Sequence, residues 1–583
     1  MRFLRMLTNS LIAGGLGAAY LTIVVMQLNP HVPWLSDTTW RLYAALGLFY
    51  GIHLAVIFYL LLVAREIISM NALSPGWVSV RVLAWLGAAS AAAAAALMWS
   101  NVEGFALALD ETAVRRMTAG AAATTATAAV LLGLAAAHFS FGRRGSRVGA
   151  ALLTIAVFGS LALPVAARGP AVSAPPPASP RSVEASAYPG ASPGPRVVMF
   201  LLDGASLDYI WPRAAGGRLP HFARLLESGA SMDLATVRPT GPDPVWTSVA
   251  TGMYPSKNGV RAPALYYVRG DSRPLTLLPD HCFSHALVHL GFLRREANSS
   301  SSLRGRPLWS ILADAGVSVG VVRWPLTYPV QPVRGFILSD RFHELIGSFF
   351  ELNDRAAFPP DAMPVVQQAF AELGSAGDGM RASDRGTVTR PGPERSAEVR
   401  DRFYSRAMRD LYANWPVQFA AVRYQGLDTV GHYNLRFTQP RELGDGGEKE
   451  RRVRLQAVDD YYAFIDDEIG GALAALKPGD LFLVVSGFGM QSPSLAKTLI
   501  AWVLGDPMNG THERAPDGFL LAFGSAVEPG RRQRGSIVDV TPTVLYYLGL
   551  PVGRDMDGYA RADLFRASFA AARPIAFVPS HGR

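Results

Sequence analysis

At 583 residues the chain exceeds one ordinary domain and is long enough to bury a large core. Half of its residues are hydrophobic, the mean hydropathy is +0.18 and only 17% are charged, a balance that places part of the chain in lipid. The net charge of +9 is carried almost wholly by arginines, several of which flank apolar segments, which fits membrane orientation better than nucleic-acid recognition, and the lone cysteine, Cys282, excludes a disulfide framework and a Cys-based zinc site.

Five apolar stretches come first: Leu7 to Leu28, Leu42 to Ala64, Val82 to Trp99, Thr118 to His138 and Val148 to Ala167. Each is near the ~20 residues a helix needs to cross the hydrocarbon core. The third and fourth are rich in Ala and Gly, which suits close helix packing. His53, inside the second, reads as a hydrogen-bonding group within a bundle. Arg2, Arg5, Arg65, Arg81, Arg143, Arg144 and Arg147 fall on one side of the alternating loops. Asp37, Glu103, Asp110 and Glu111 fall on the other, with Arg115 and Arg116 against the trend. The positive-inside rule therefore predicts a cytoplasmic N-terminus, and five crossings export the rest of the chain to the periplasm or the extracellular side.

The boundaries expected are a transmembrane helical domain over 1–168, a linker over 169–195 and an exported domain over 196–583. The linker, GPAVSAPPPASPRSVEASAYPGASPGP, has too little apolar surface to form a core. A second low-complexity stretch, from Gly374 to Arg395, reads as a surface loop. Beyond Arg196, strand-like runs alternate with helical patterns: VVMFLL (197–202), VSVGVV (317–322), VQFAAVRY (417–424), LFLVV (481–485) and FLLAF (519–523). That alternation predicts an α/β sheet with helices on both faces.

Polar residues gather beside the strand ends, where open α/β sheets build their sites. Each has an ordinary reading. Asp203 after the first strand suits a turn, Thr247 in DPVWTSVATG suits a helix cap, and Asp428 and His432 suit a surface pair one helical turn apart. His281, His285 and His289 in DHCFSHALVHL are spaced to share a helix face, which suits a lid or insertion more than a metal site. Asn298-Ser299-Ser300 and Asn509-Gly510-Thr511 match the glycosylation sequon.

Taken together and in order, VVMFLLDG, PVWTSVATGMYPSKNGV, LWSILADAGVSVGVVRWPLTYP, YQGLDTVGH, GTHERAPDGF and SIVDVTPTVLYYLGLPVGRDMDG resemble the alkaline phosphatase superfamily, and most closely its type I phosphodiesterase/nucleotide pyrophosphatase branch. The resemblance covers roughly residues 196 to 570. It implies two zinc ions at the strand ends with a hydroxyl nucleophile between them. Asp203 and Thr247 would bind one metal, with Thr247 as the catalytic nucleophile at a helix start; Asp428, His432 and His512 would bind the other. A mixed N/O set of three with an open fourth position is what a catalytic zinc uses, and two metals ~4 Å apart can clamp an in-line displacement at phosphorus.

One stretch departs from that pattern. Where the family has Ser-Asp-His-Gly, this chain reads Ser486-Gly487-Phe488-Gly489, expected as a turn, and two ligands of the nucleophile-activating metal are missing. Glu513, Asp517, Asp459 and Asp460 are the acidic residues available as substitutes. The expectation is a membrane-anchored metal-dependent hydrolase of phosphate esters, including nucleotides, with one complete zinc site and one degenerate site. A transferase acting on a lipid head group, in contact with membrane lipids, and an inactive binder of a phosphorylated ligand are the alternatives.

Overall fold

The structure is a computed structural model. It describes residues 1–69, 77–140, 147–172, 194–279, 283–345, 355–374, 393–438, 448–493, 498, 510–512 and 515–582. Most of the tether, most of the low-complexity stretch near 374–395, His281 and Glu513 lie outside the described residues. The chain divides into two compact units, Met1–Pro176 with Ala264–Ala297, and Pro177–Pro263 with Asn298–Arg583.

In the first unit, helices α1 (Arg2–Leu28), α2 (Asp37–Leu46), α3 (Ile52–Ser69), α4 (Val80–Phe105), α5 (Glu111–Ser140) and α6 (Arg147–Arg168) follow the five apolar stretches, α2 and α3 being joined through a π-turn at Gly47–Gly51. Among the described residues, five spans are long and apolar enough to cross a membrane by length and composition. The alanine-rich sequence of α4 has a packing reason. Ala84, Gly87, Ala88, Ala91, Ala94, Ala95 and Met98 are its buried face, a stripe of small residues that lets backbones approach closely. His53 is exposed and donates from Nδ1 to the Phe49 carbonyl (2.7 Å), a bond within its own helix and not across the bundle.

Residues 264–297 group with these helices. Strand Ala264–Val268 pairs antiparallel with Pro274–Leu275 and with Leu293–Ala297. Val268, Leu275, Leu287 and Leu293 join Val25, Met26, Leu42 and Leu46 in one buried cluster. Asn29 fixes the arrangement by accepting from the Thr276 amide (2.7 Å) and donating to the Leu277 carbonyl (2.8 Å). The histidine-bearing segment thus packs through Leu287 into a hydrophobic cluster, with His289 exposed.

The second unit is built on one ten-stranded mixed sheet. Its strands are β1 (Val197–Leu202), β2 (Ala230–Ala235), β3 (Val319–Val322), β4 (Gly335–Leu338), β5 (Ala357–Phe358), β6 (Phe419–Tyr424), β7 (Leu481–Phe488), β8 (Asp517–Phe523), β9 (Gly530–Arg531) and β10 (Gly535–Ser536). Across the sheet the order is β9-β2-β8-β7-β1-β6-β3-β4-β5, with β10 also on β2. The central strands β7, β1, β6, β3 and β4 run parallel, and β8 is antiparallel to β7 and β2. They are apolar on both faces because helices cover both. Val197, Met199 and Leu201 feed one core cluster; Phe200 and Leu202 feed the other.

Two local readings change. Ser486-Gly487-Phe488 is not a turn: β7 runs through Phe488, pairing Ser486 with Phe519 and Phe488 with Asp517. The buried Ser486 hydroxyl donates to the Ala205 carbonyl (3.0 Å), so an extended backbone here leaves no polar group orphaned. The helix expected to start near Thr247 starts five residues earlier, as α7 (Pro242–Thr251), because Pro242 supplies a fixed φ suited to the first helical position and Gly241 caps it.

Candidate metal centre

The parallel strands β7, β1 and β6 end together, and the candidate site lies at their C-terminal ends. After β6 the chain enters α8 (Gly426–Asn434), which holds Asp428 and His432 one turn apart on one face. His512 arrives on a short bridge, Gln491 pairing with Thr511, and the Gly510 amide donates to the His432 carbonyl (3.0 Å). Gly204, at φ 72°, lets α8 come close: a Cβ there would lie 3.1 Å from the Asp428 Cα.

Potential ligand atoms of Asp428, His432 and His512 all lie within 4.8 Å of one another. His432 Nδ1 donates to the Gly510 carbonyl (2.7 Å), and His512 Nδ1 donates to the Thr240 carbonyl (2.9 Å). Because a carbonyl only accepts, both Nδ1 atoms carry protons, which leaves each Nε2 as the ring nitrogen available to coordinate. The buried Asp428 Oδ1 has no hydrogen-bond partner and lies 3.5 Å from His432 Nε2. A buried carboxylate oxygen without a partner is costly unless it faces a cation. The donor set fits a metal such as zinc.

The other half of the expected site is arranged differently. Asp203 is fully buried, and its carboxylate is taken by the guanidinium of Arg423: Nε lies 3.1 Å from each oxygen, and Nη2 donates to Oδ2. Trp246 Nε1 donates to Oδ1 (2.6 Å). Burial holds the Asp203 carboxyl above its usual range, although Arg423 pulls it down. Three donors converge on its two oxygens, an arrangement that favours the ionised carboxylate as the partner of Arg423. Burial also opposes the Arg423 charge, but Asp203, with Asp340 and Asp243, more than offsets this and raises its pKa.

Thr247 is buried inside α7 with no hydrogen-bond partner for its hydroxyl. Gly487 and Phe488 are fully enclosed; a Cβ on Gly487 would lie 2.3 Å from Val245 Cγ1, and the Phe488 ring sits 5.3 Å from the His512 ring. The acidic substitutes are engaged elsewhere or exposed. Asp517 pairs with Arg534, Asp459 with Arg213, and Asp460 is exposed and accepts from Gln456. Asn298, the first sequon, is buried and donates to Asp243 (3.1 Å) and the Ala262 carbonyl (2.7 Å).

Sequence reasoning missed Arg423, Trp246 and Asp243. Asp243, in the first turn of α7, is pushed up to about 6 by burial, with the Asp340 charge adding to it and Asn298, Arg423 and Arg341 opposing. The available signal for Arg423 was a charged residue near the end of an otherwise apolar strand. Period-2 alternation puts it on the face of Phe419 and Ala421, the face that Asp203 and Gly487 share across the neighbouring strands.

Residues 197–506, more than half of the chain, match the family described as type I phosphodiesterase / nucleotide pyrophosphatase. No curated protein matches the chain. Among solved structures, murine ectonucleotide pyrophosphatase / phosphodiesterase 5, in an inactive form in complex with AMP, is similar at 13% identity. The match covers 64% of this chain and 100% of that one, at a TM-score of 0.37. The human counterpart is similar at 13% identity over the same shares, at a TM-score of 0.34.

Proposed function

The chain belongs to the type I phosphodiesterase/nucleotide pyrophosphatase family, and from that premise we propose a membrane-anchored hydrolase of phosphate diesters or nucleotide pyrophosphates that uses one zinc ion. The observation that carries this reading is the Asp428, His432 and His512 group, with both Nδ1 protons tied to carbonyls and both Nε2 atoms left to coordinate. Zinc bound there would supply Lewis-acid polarisation of a phosphoryl oxygen. The chain's own residues do the rest. Gly510 and Thr240 hold the imidazoles in one tautomer. Asp428 adds the negative charge that favours a divalent cation.

The test is the full-length protein in detergent, loaded with zinc and assayed on bis(p-nitrophenyl) phosphate, a nucleotide pyrophosphate and p-nitrophenyl phosphate. Diester or pyrophosphate turnover that EDTA abolishes and zinc restores supports the reading. Zinc binding with no turnover identifies an inactive binder, and transfer of a phosphoryl group to an acceptor lipid identifies a transferase.

The catalytic unit belongs outside the cytoplasm on this reading, supported by the arginine asymmetry and by five helices of spanning length. An alkaline phosphatase reporter, which works only after export, should be active when fused within 169–195, and a cytoplasm-only reporter at the same point should be silent. The reverse pattern would overturn the topology.

A further inference from the structure

The second metal ion that the family resemblance implies does not fit the residues present. Its position would be bounded by Asp203, Thr247, Gly487 and Phe488. Asp203 already holds three donors, from Arg423 and Trp246. Thr247 offers a single neutral hydroxyl from mid-helix, a weak ligand on its own, while its carbonyl accepts from the Thr251 hydroxyl. Gly487 brings no ligand, and the space a side chain there would enter is filled by Val245. Phe488 is a buried apolar ring. What the site has instead is a fixed positive charge, because arginine stays protonated at any physiological pH.

We propose that Arg423 is the built-in second cation of this site: its guanidinium, locked on Asp203, stands in for a metal ion and makes the centre mononuclear. This rests on the reading of Asp428, His432 and His512 as the metal ligands and assigns the other half of that centre. The side-chain exposures are 6% for Arg423 and 0% for Asp203, so each charge depends on the other for compensation. The pairing is also geometric. Nε and Nη2 grip the carboxylate as a fork, and the Trp246 indole closes the remaining approach to Oδ1. Trp246 is itself held, its carbonyl accepting from Trp324 Nε1 (3.1 Å). A half-site neutralised in this way needs no ion to fold and has no vacancy for one.

A double-mutant cycle on the full-length protein tests this. Asp203→Asn and Arg423→Met are each expected to lower Tm by about 5–10 °C, since each leaves one buried charge unpaired. The double variant should recover at least half of that loss, with the same coupling in EDTA and in excess zinc. Asp203→Asn should also leave zinc per chain unchanged. On the unmodified protein, anomalous scattering at the zinc edge should give a single peak beside His512, an arm that needs no variant to fold. A peak within bonding distance of Asp203, a zinc count that falls by one in Asp203→Asn, or additive effects of the two substitutions would each overturn the proposal. His512→Ala separates the two readings. Undiminished zinc in that variant defeats the ligand assignment while leaving the Asp203–Arg423 cycle to decide its own question.

Discussion

His512→Ala is expected to reduce retained zinc to near zero and to lower phosphodiester turnover by about 1000-fold. Removing one of three protein ligands leaves two, too few to hold zinc tightly at a catalytic site. Loss of the ion forfeits several kcal/mol of transition-state charge stabilisation, and each 1.36 kcal/mol is a decade in rate. The fold itself should tolerate the change. The ring is partly exposed and contributes one bond to the Thr240 carbonyl and contacts with Phe488 and His432. The cleanest readout is therefore ligand-linked stability. Zinc should raise the Tm of the parent, because it binds the folded state and not the unfolded one, and should leave His512→Ala where it was. A variant that keeps its zinc, or that loses turnover without losing zinc, would mean that His512 acts on the substrate or on water and not as a ligand.

How far the sequence announces this site depends on the range of the contact. The central strands are legible as short apolar runs bounded by polar residues, as at Val197–Leu202, while at Leu481–Phe488 only the first five residues are, because Ser486-Gly487-Phe488 imitates a turn. The two-residue strands Ala357–Phe358, Gly530–Arg531 and Gly535–Ser536 carry no period at all, so only their partners define them. Asp428 and His432 are legible as a pair because four residues is one helical turn. His512 joins them through a backbone bridge to Gln491, which no local pattern encodes. Arg423 is visible as a misplaced charge, but its partner is not: Asp203 lies 220 residues away, and only the β1–β6 register brings them together. The grouping of residues 264–297 with the N-terminal helices is hidden for the same reason. It depends on Asn29 bonding across 248 residues to Leu277 and on an apolar cluster that neither segment completes alone.

The second large effect concerns the stretch that departs from the family. Ligand counting alone makes Gly487→Asp with Phe488→His look like a repair that returns two missing metal ligands. The packing predicts the opposite: the double variant should lose roughly 3–5 kcal/mol of stability and gain no zinc. A Cβ at 487 would stand 2.3 Å from Val245 Cγ1 and 3.6 Å from the Trp246 ring, well inside contact distance of the first, so α7 or β7 must shift before the carboxylate is accommodated. That carboxylate would then be buried on the same sheet face as Asp203, whose charge Arg423 already balances, and the new group would take up a proton before it took up a metal. At 488 a fully buried ring against the core is exchanged for a smaller, polar one. Urea midpoints measure the loss. Adding Val245→Ala should return the steric part of it, since the collision is with that side chain, yet zinc per chain should stay at one while Arg423 remains. Only a variant that also replaces Arg423 removes the competing cation from Asp203, and a second zinc appearing in that background but not before it would identify the guanidinium, rather than the missing Asp and His alone, as what keeps the centre mononuclear.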